Sequence, residues 1–285
     1  MPLMLRIVTD STCDLPNSLL EEHNVTVIPL NVIIDGQTYA DGIELSHAEF
    51  YAKMAASKQL PTTSQPSPAK FRDVFQKILD AGDDVFYVGL SSTLSGTLQA
   101  AKIARDLVES PERVTIHDTL SATYAEGMLV MQAVKLAEEG RTAGEIQAEL
   151  TELRKRQELV FSVDTLENLR KGGRINNLSF LFGSLLNIKP ILHLDYEGVV
   201  QAFDKVRGKK NAILAVKRFL TERPIDMEFP VAIGHTSDQG TVQVWRELLT
   251  ELGVKVSNIF DFELSGVIGT HVGKGANGII YFSKA

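Results

Sequence analysis

Val85-Phe86-Tyr87-Val88-Gly89-Leu90 is an apolar run of strand length, and it leads straight into Ser91-Ser92-Thr93-Leu94-Ser95-Gly96-Thr97. From Leu98 to Val108 the apolar residues return at helical spacing. A buried strand, a turn crowded with hydroxyls and a helix follow one another, which is the unit of an α/β fold. Ser95 then stands at a helix entrance. The unpaired amides of a first helical turn, with the macrodipole behind them, favour a negatively charged oxygen there, and neighbouring hydroxyls can add bonds.

The same alternation extends outward. Strand-like runs at Leu5 to Val8, Val25 to Ile34 and Val114 to His117 are interleaved with helical patterns near Leu15 to His23, Ala48 to Ser57 and Ala69 to Ala81. This predicts a largely parallel sheet covered by helices. Asp35-Gly36 marks a small hairpin. Helical patterns over Ala122 to Glu139 and Ala143 to Arg156, split by Gly140, close this first lobe.

From Leu159 a second series begins, with strands expected at Leu159 to Val163, Ile191 to Leu194, Val199 to Lys205, Val231 to His235, Val254 to Phe260 and Gly278 to Phe282. Helices are expected over Ser179 to Asn187, Asn211 to Thr221 and Gln239 to Leu252. The Tyr196-Glu197-Gly198 turn implies an antiparallel hairpin, so this sheet is expected to be mixed. The division falls near residue 157, giving α/β lobes over 1–157 and 158–285.

A second hydroxyl cluster, Pro61-Thr62-Thr63-Ser64-Gln65-Pro66-Ser67, also precedes a helical pattern. Ser67 followed by Pro68 reads as an ordinary helix cap. Polar groups at Asp10-Ser11-Thr12, Ser91 to Ser95, Asp118-Thr119 and His235-Thr236-Ser237 fall at strand ends, where open α/β sheets hold ligands. His235 reads as structural, with its role open. His271 lies in Gly269-Thr270-His271-Val272-Gly273, read as a loop whose small neighbours permit close approach of a ligand. Arg174 and Arg207 occupy glycine-adjacent basic turns and are suited to carboxylate or phosphate oxygens.

With 36 acidic and 29 basic residues the net charge is −7, which argues against a nucleic-acid partner and a DNA-linked regulator. Cys13 is the only cysteine, so intramolecular disulfides and thiolate metal clusters are excluded and a reducing cytoplasm is the simplest setting. Met1 to Asp10 reads as a strand rather than a signal segment. Leu178 to Ile188, the longest apolar stretch, is shorter than the roughly 20 residues a membrane span needs. This stretch and Met128-Leu129-Val130-Met131 supply apolar faces compatible with either plain core or an alkyl tunnel.

Several motifs mislead. Gly273-Lys274-Gly275-Ala276-Asn277-Gly278 spells a dinucleotide fingerprint but precedes a strand and opens no helix, and Gly269 to Gly275 misses the P-loop spacing. Ser67-Pro68-Ala69-Lys70 lacks the companion motifs of penicillin-recognising enzymes. No paired-histidine zinc motif occurs. Neither a metal nor a cofactor is expected.

The hydroxyl segments, combined with Lys171-Gly172-Gly173-Arg174, Lys205-Val206-Arg207-Gly208, Gly269 to Gly273, Val8-Thr9-Asp10-Ser11-Thr12-Cys13-Asp14 and Ile28-Pro29-Leu30, resemble the DegV family over nearly the whole chain. The resemblance implies a fatty-acid-binding protein of two α/β lobes, with the acyl chain of a palmitate, stearate or oleate buried. It implies that Thr63 and Ser95 hold the carboxylate, that His271 and Arg174 lie near it, and that Thr62, Ser64, Ser92 and Gly96 support them. It implies further a carrier that performs no chemistry, presents its ligand to the ATP-binding subunit of a fatty acid kinase for acyl-phosphate formation and phospholipid metabolism, and makes transient contact with a membrane. Arg207 would face that partner. The rival is a serine acyl hydrolase or acyltransferase, with Ser95 as nucleophile, His271 as base and Asp10 or Asp118 orienting the ring. Leu94-Ser95-Gly96 lacks the nucleophile elbow such enzymes often carry.

Overall fold

The protein is described by a computed structural model covering residues 4–175, 188–236 and 239–284. Four parallel strands form the first sheet in the order β2 (Thr26–Ile28), β1 (Leu5–Asp10), β6 (Asp84–Gly89) and β7 (Val114–Asp118). The second sheet is mixed, in the order β10 (Val200–Arg207), β9 (Ile188–Leu194), β8 (Gln157–Ser162), β13 (Asn277–Phe282), β11 (Val231–His235) and β12 (Ile259–Glu263). Among the described residues only β11 and β12 pair in parallel there. A small antiparallel sheet, β4 (Gln37–Ala40), β3 (Asn31–Ile34) and β5 (Thr62–Ser64), stands apart.

Helices α1 (Asn17–Glu22), α2 (His47–Ala56), α3 (Pro68–Asp80), α4 (Thr97–Arg105), α5 (Tyr124–Glu138) and α6 (Ala143–Arg154) lie in the first half. Helices α7 (Glu167–Lys171), α8 (Lys209–Glu222), α9 (Gln239–Glu251) and α10 (Gly266–Val272) follow. Ser67 caps α3 by accepting the Lys70 N–H, with Pro68 in the first turn. The Asp35-Gly36 hairpin joins β3 to β4, and both turn residues have positive φ, as its tight turn requires.

α5 explains why Met128 to Val130 are apolar on every side. Its residues share one core with Ile7 and Phe86 of the parallel sheet and with Ala232, Ile280 and Phe282 of the mixed sheet. A helix apolar all round is a buried helix, and this one lies between the two sheets. The tunnel reading of this run gives way to core packing, since none of Met128, Leu129, Val130 or Met131 lines the apolar cavity.

Four departures from the sequence-based expectations have physical causes. The run Val25 to Ile34 is two strands in different sheets, because Pro29 lacks the N–H that a ladder needs. Thr62–Ser64, read only as part of a hydroxyl cluster before a helix, is a strand paired to β3. Gly269 to Gly273 is not a loop: four of its residues belong to α10. Val256–Asn258 forms a 3₁₀ turn, so the strand expected from Val254 begins at Ile259. The expected helix Ser179 to Asn187 and Ser237 lie outside the described residues.

Candidate functional site

Beyond the carboxyl ends of β2, β6 and β7, where ligands of open α/β sheets sit, lies an apolar cavity of about 350 Å³. Leu30, Leu90 and Leu94 form its wall on the side of the parallel sheet, Phe161 and Leu194 on the side of the mixed sheet, and Val267 and Ile268 of α10 between them. Thr63, Ser95, Arg174 and His271 all line it, so the four residues singled out for carboxylate binding come together from distant parts of the chain. Arg174 is the one charged side chain among the described lining residues. Thr63, Arg174 and His271 also border an outer, polar cleft of about 780 Å³ with Lys58, Thr62 and Lys171. The cavity therefore meets solvent-facing surface at its polar end.

β5 carries Thr63 and α10 carries His271; Thr63 Oγ1 lies 2.9 Å from His271 Nε2. Burial, helped by the nearby Arg174 charge, pushes His271 down to about 4, so the ring is neutral at pH 7. Its Nδ1 is buried without a partner. An orphaned buried N–H is costlier than an orphaned lone pair, which places the proton on Nε2, donating to Thr63 Oγ1. The Thr63 hydroxyl is then free to donate its own proton to an anion in the cavity. A Cβ on Gly172 would sit 2.5 Å from His271 Nδ1, so glycine is what admits the ring.

Gly173, with φ of 73°, turns the chain after α7 so that Arg174 points back into the site. Arg174 Nε donates to the Leu94 carbonyl at 2.9 Å and Nη1 donates to the Gly172 carbonyl. Burial lowers its pKa from the ordinary arginine value, yet a guanidinium stays charged. The positive charge is thus anchored beside the Ser95 turn. Ser95 Oγ accepts the Thr97 N–H at 3.2 Å and shares a 2.8 Å bond with Thr97 Oγ1 at the start of α4.

The supporting positions divide. Ser64 lines the cavity and its hydroxyl accepts from Asn31 Nδ2 at 3.2 Å. Gly96 leaves room for Gln65, whose Oε1 would lie 2.1 Å from a Cβ there, so it couples the two hydroxyl segments. Thr62 borders the outer cleft alone, and exposed Ser92 donates its N–H to Asp118 and lines neither space. Arg207 is exposed at the end of β10. His235 is buried in β11 and is not among the lining residues, although its cross-strand neighbour Asn277 is.

The serine-hydrolase geometry is not assembled. Ser95 bonds Thr97 and His271 bonds Thr63. Asp10 is occupied by Thr12, Tyr87 and the Leu90 amide, and Asp118 by the Ser92 and Leu120 amides. Sequence reasoning found His271 but missed Val267 and Ile268 of α10 and the two carboxylates, Asp14 and Asp41, that bond its first turn. The signal available was Gly266 and Gly269, spaced for close helix packing, of which only Gly269 falls in the segment read as a loop.

The family model described as "Uncharacterised protein, DegV family" matches residues 4–284. A DegV domain-containing protein of Listeria innocua is 38% identical over 98% of this chain and 99% of its own length. A fatty-acid-binding DegV family protein of Thermus thermophilus is 36% identical, with a TM-score of 0.90 over 99% of this chain and 100% of that one. A stearic-acid-binding protein of Eubacterium ventriosum is 27% identical, with a TM-score of 0.86 over 99% of each chain.

Proposed function

The chain belongs to the DegV family, and from that premise we propose that it binds a long-chain fatty acid, tail in the cavity and carboxylate at the Thr63, Ser95, Arg174 and His271 end. The observation that carries this is an apolar cavity whose single charged side chain, among the described lining residues, is a fixed cation at the same end as two hydroxyls. Burial of ~0.8 kcal/mol per methylene over about fourteen methylenes gives roughly 11 kcal/mol before ordering costs. Hydrogen bonds to the ionised headgroup add only about 1.5 to 3 kcal/mol each. The tail supplies affinity, and the polar end fixes which way the ligand points.

Such an arrangement makes a carrier rather than an enzyme. The ligand's carboxylate would face the outer cleft, where a separate ATP-using kinase subunit could reach it and form the acyl-phosphate, with exposed Arg207 on the docking rim. The division into lobes 1–157 and 158–285, a cytoplasmic setting and passing contact with a membrane belong to the same proposal. Among the described residues no helix is long and apolar enough to cross a membrane.

The test is organic extraction of purified protein with lipid mass spectrometry, followed by titration with palmitate and oleate. Co-purifying acyl species and saturable binding are expected. No acyl species together with no binding would sink the proposal.

A further inference from the structure

α10 is poorly equipped to hold itself together. It has seven residues, and isolated helices that short are marginal in water. Two of the seven, Gly266 and Gly269, disfavour helix, and Ser265 at the N-cap makes no capping bond with its own side chain. Yet this helix carries His271 and contributes Val267 and Ile268 to the cavity wall. Its first turn is held from the other end of the sequence.

Asp41 Oδ1 accepts the Gly266 N–H at 3.0 Å and Oδ2 accepts the Val267 N–H at 3.4 Å. Asp14 Oδ1 accepts the Ser265 N–H at 3.2 Å. Both carboxylates are themselves fixed: the Ser11 hydroxyl donates to Asp41 at 3.1 Å, and the Thr123 hydroxyl donates to Asp14 at 2.5 Å. Negative charge at a helix N-terminus also opposes the positive end of the macrodipole. The fit is close, since a Cβ on Gly266 would lie 2.8 Å from Asp41 Oδ1. Two neutral bonds complete the seating, from Tyr51 Oη to the Leu264 carbonyl and from Asn168 Nδ2 to the Thr270 carbonyl.

We infer that Asp14 and Asp41 are positioning residues, whose carboxylates clamp the first turn of α10 and so set the meeting of His271 with Thr63 and the affinity for the ligand. This rests on the fatty-acid reading of the cavity. Neither aspartate lines that cavity; both border a separate cleft of about 470 Å³ on the far side of the clamp. They act at a distance, through the helix.

The experiment is a double-mutant cycle read by oleate titration, with Asp41→Ala, His271→Ala and the double variant. Asp41→Ala is expected to weaken binding about tenfold, within the range of a lost helix cap, and to add almost nothing in the His271→Ala background. Asp41→Asn, which keeps an acceptor for the Gly266 amide, is expected to recover most of the affinity. Undiminished binding by Asp41→Ala, or an equal loss with and without His271, would overturn the inference.

Imidazole ¹⁵N resonances of histidine-labelled protein give a second readout, taken on Asp14→Ala if Asp41→Ala does not fold. A change in the His271 signals is expected in Asp14→Ala and near wild-type signals in Asp14→Asn, and unchanged signals in Asp14→Ala would count against the clamp. If the wild-type protein binds no fatty acid, the ligand reading fails, while these resonances still decide whether the aspartates position His271.

Discussion

Thr63 stands between a buried neutral imidazole and the cavity: its hydroxyl accepts from His271 Nε2, which leaves its own proton for an anion in the cavity. Thr63→Val keeps the branched shape, removes the hydroxyl and leaves His271 with no partner on either nitrogen. Loss of one hydrogen bond to a charged group, about 1.5 kcal/mol, corresponds to roughly tenfold weaker fatty-acid binding with the fold retained. Ser95→Ala is expected to act in the same direction, and isothermal titration with palmitate checks both. Arg207→Ala, far from the cavity lining, should leave that titration unchanged and lower acyl-phosphate formation in a reconstituted kinase assay. Unaltered affinity in Thr63→Val and Ser95→Ala would remove these two hydroxyls from the site.

At the level of elements, the parallel sheet was legible because its strands are apolar runs of ordinary length, each followed by a helical period; of the polar strand ends singled out, the Ser91 to Ser95 turn after β6 reaches the cavity through Ser95, whereas Asp10-Ser11-Thr12 and Asp118-Thr119 do not line it. The hydroxyl-bearing turns were legible for the same reason, as breaks in those periods. β5 and α10 were not. Three residues of strand and seven of helix are too short to show a period, and both are held by distant partners, β3 for one and two aspartates for the other. Packing, which periodicity does not encode, decides them. Gly269 makes the point testable, because a Cβ there would sit 2.7 Å from Tyr51 Oη and 2.8 Å from Phe50 Cε1. In an open helix Gly→Ala gains about 1 kcal/mol, whereas overpacking costs typically 1–3 kcal/mol. Gly269→Ala is therefore expected to lower stability in urea unfolding and to weaken fatty-acid binding by displacing His271; a gain in both would show that α10 is not seated against α2.

Across the molecule, the region where the parallel sheet meets α5 and α10 buries Asp10, Asp14, Asp41 and Glu126, each held by hydroxyls, with backbone amides adding bonds at all but Glu126. Desolvation raises all four, Asp14 to about 7 and Asp41 to about 6. A carboxyl group raised in the folded state holds its proton where the unfolded chain has released it. Such a group costs stability progressively as pH climbs from about 4 to its folded value, and the cost is constant above that. Buried His117 and His271, both lowered to about 4, work the other way between about 4 and 6.5, which blurs the pH profile of the whole protein. Comparing wild type with Asp14→Asn isolates one carboxylate. Substitution removes the titration, so the stability advantage of the wild type over the variant should shrink by roughly 2.5 kcal/mol between pH 5 and pH 8, as about two units of proton linkage require. Urea unfolding at both pH values measures it, and curves that stay parallel would mean that Asp14 is not carrying an uncompensated buried charge. Holding α10 with charged rather than neutral groups thus lowers stability at neutral pH, in exchange for charge-assisted bonds, about twice as strong as neutral ones, on the helix that brings His271 to the cavity.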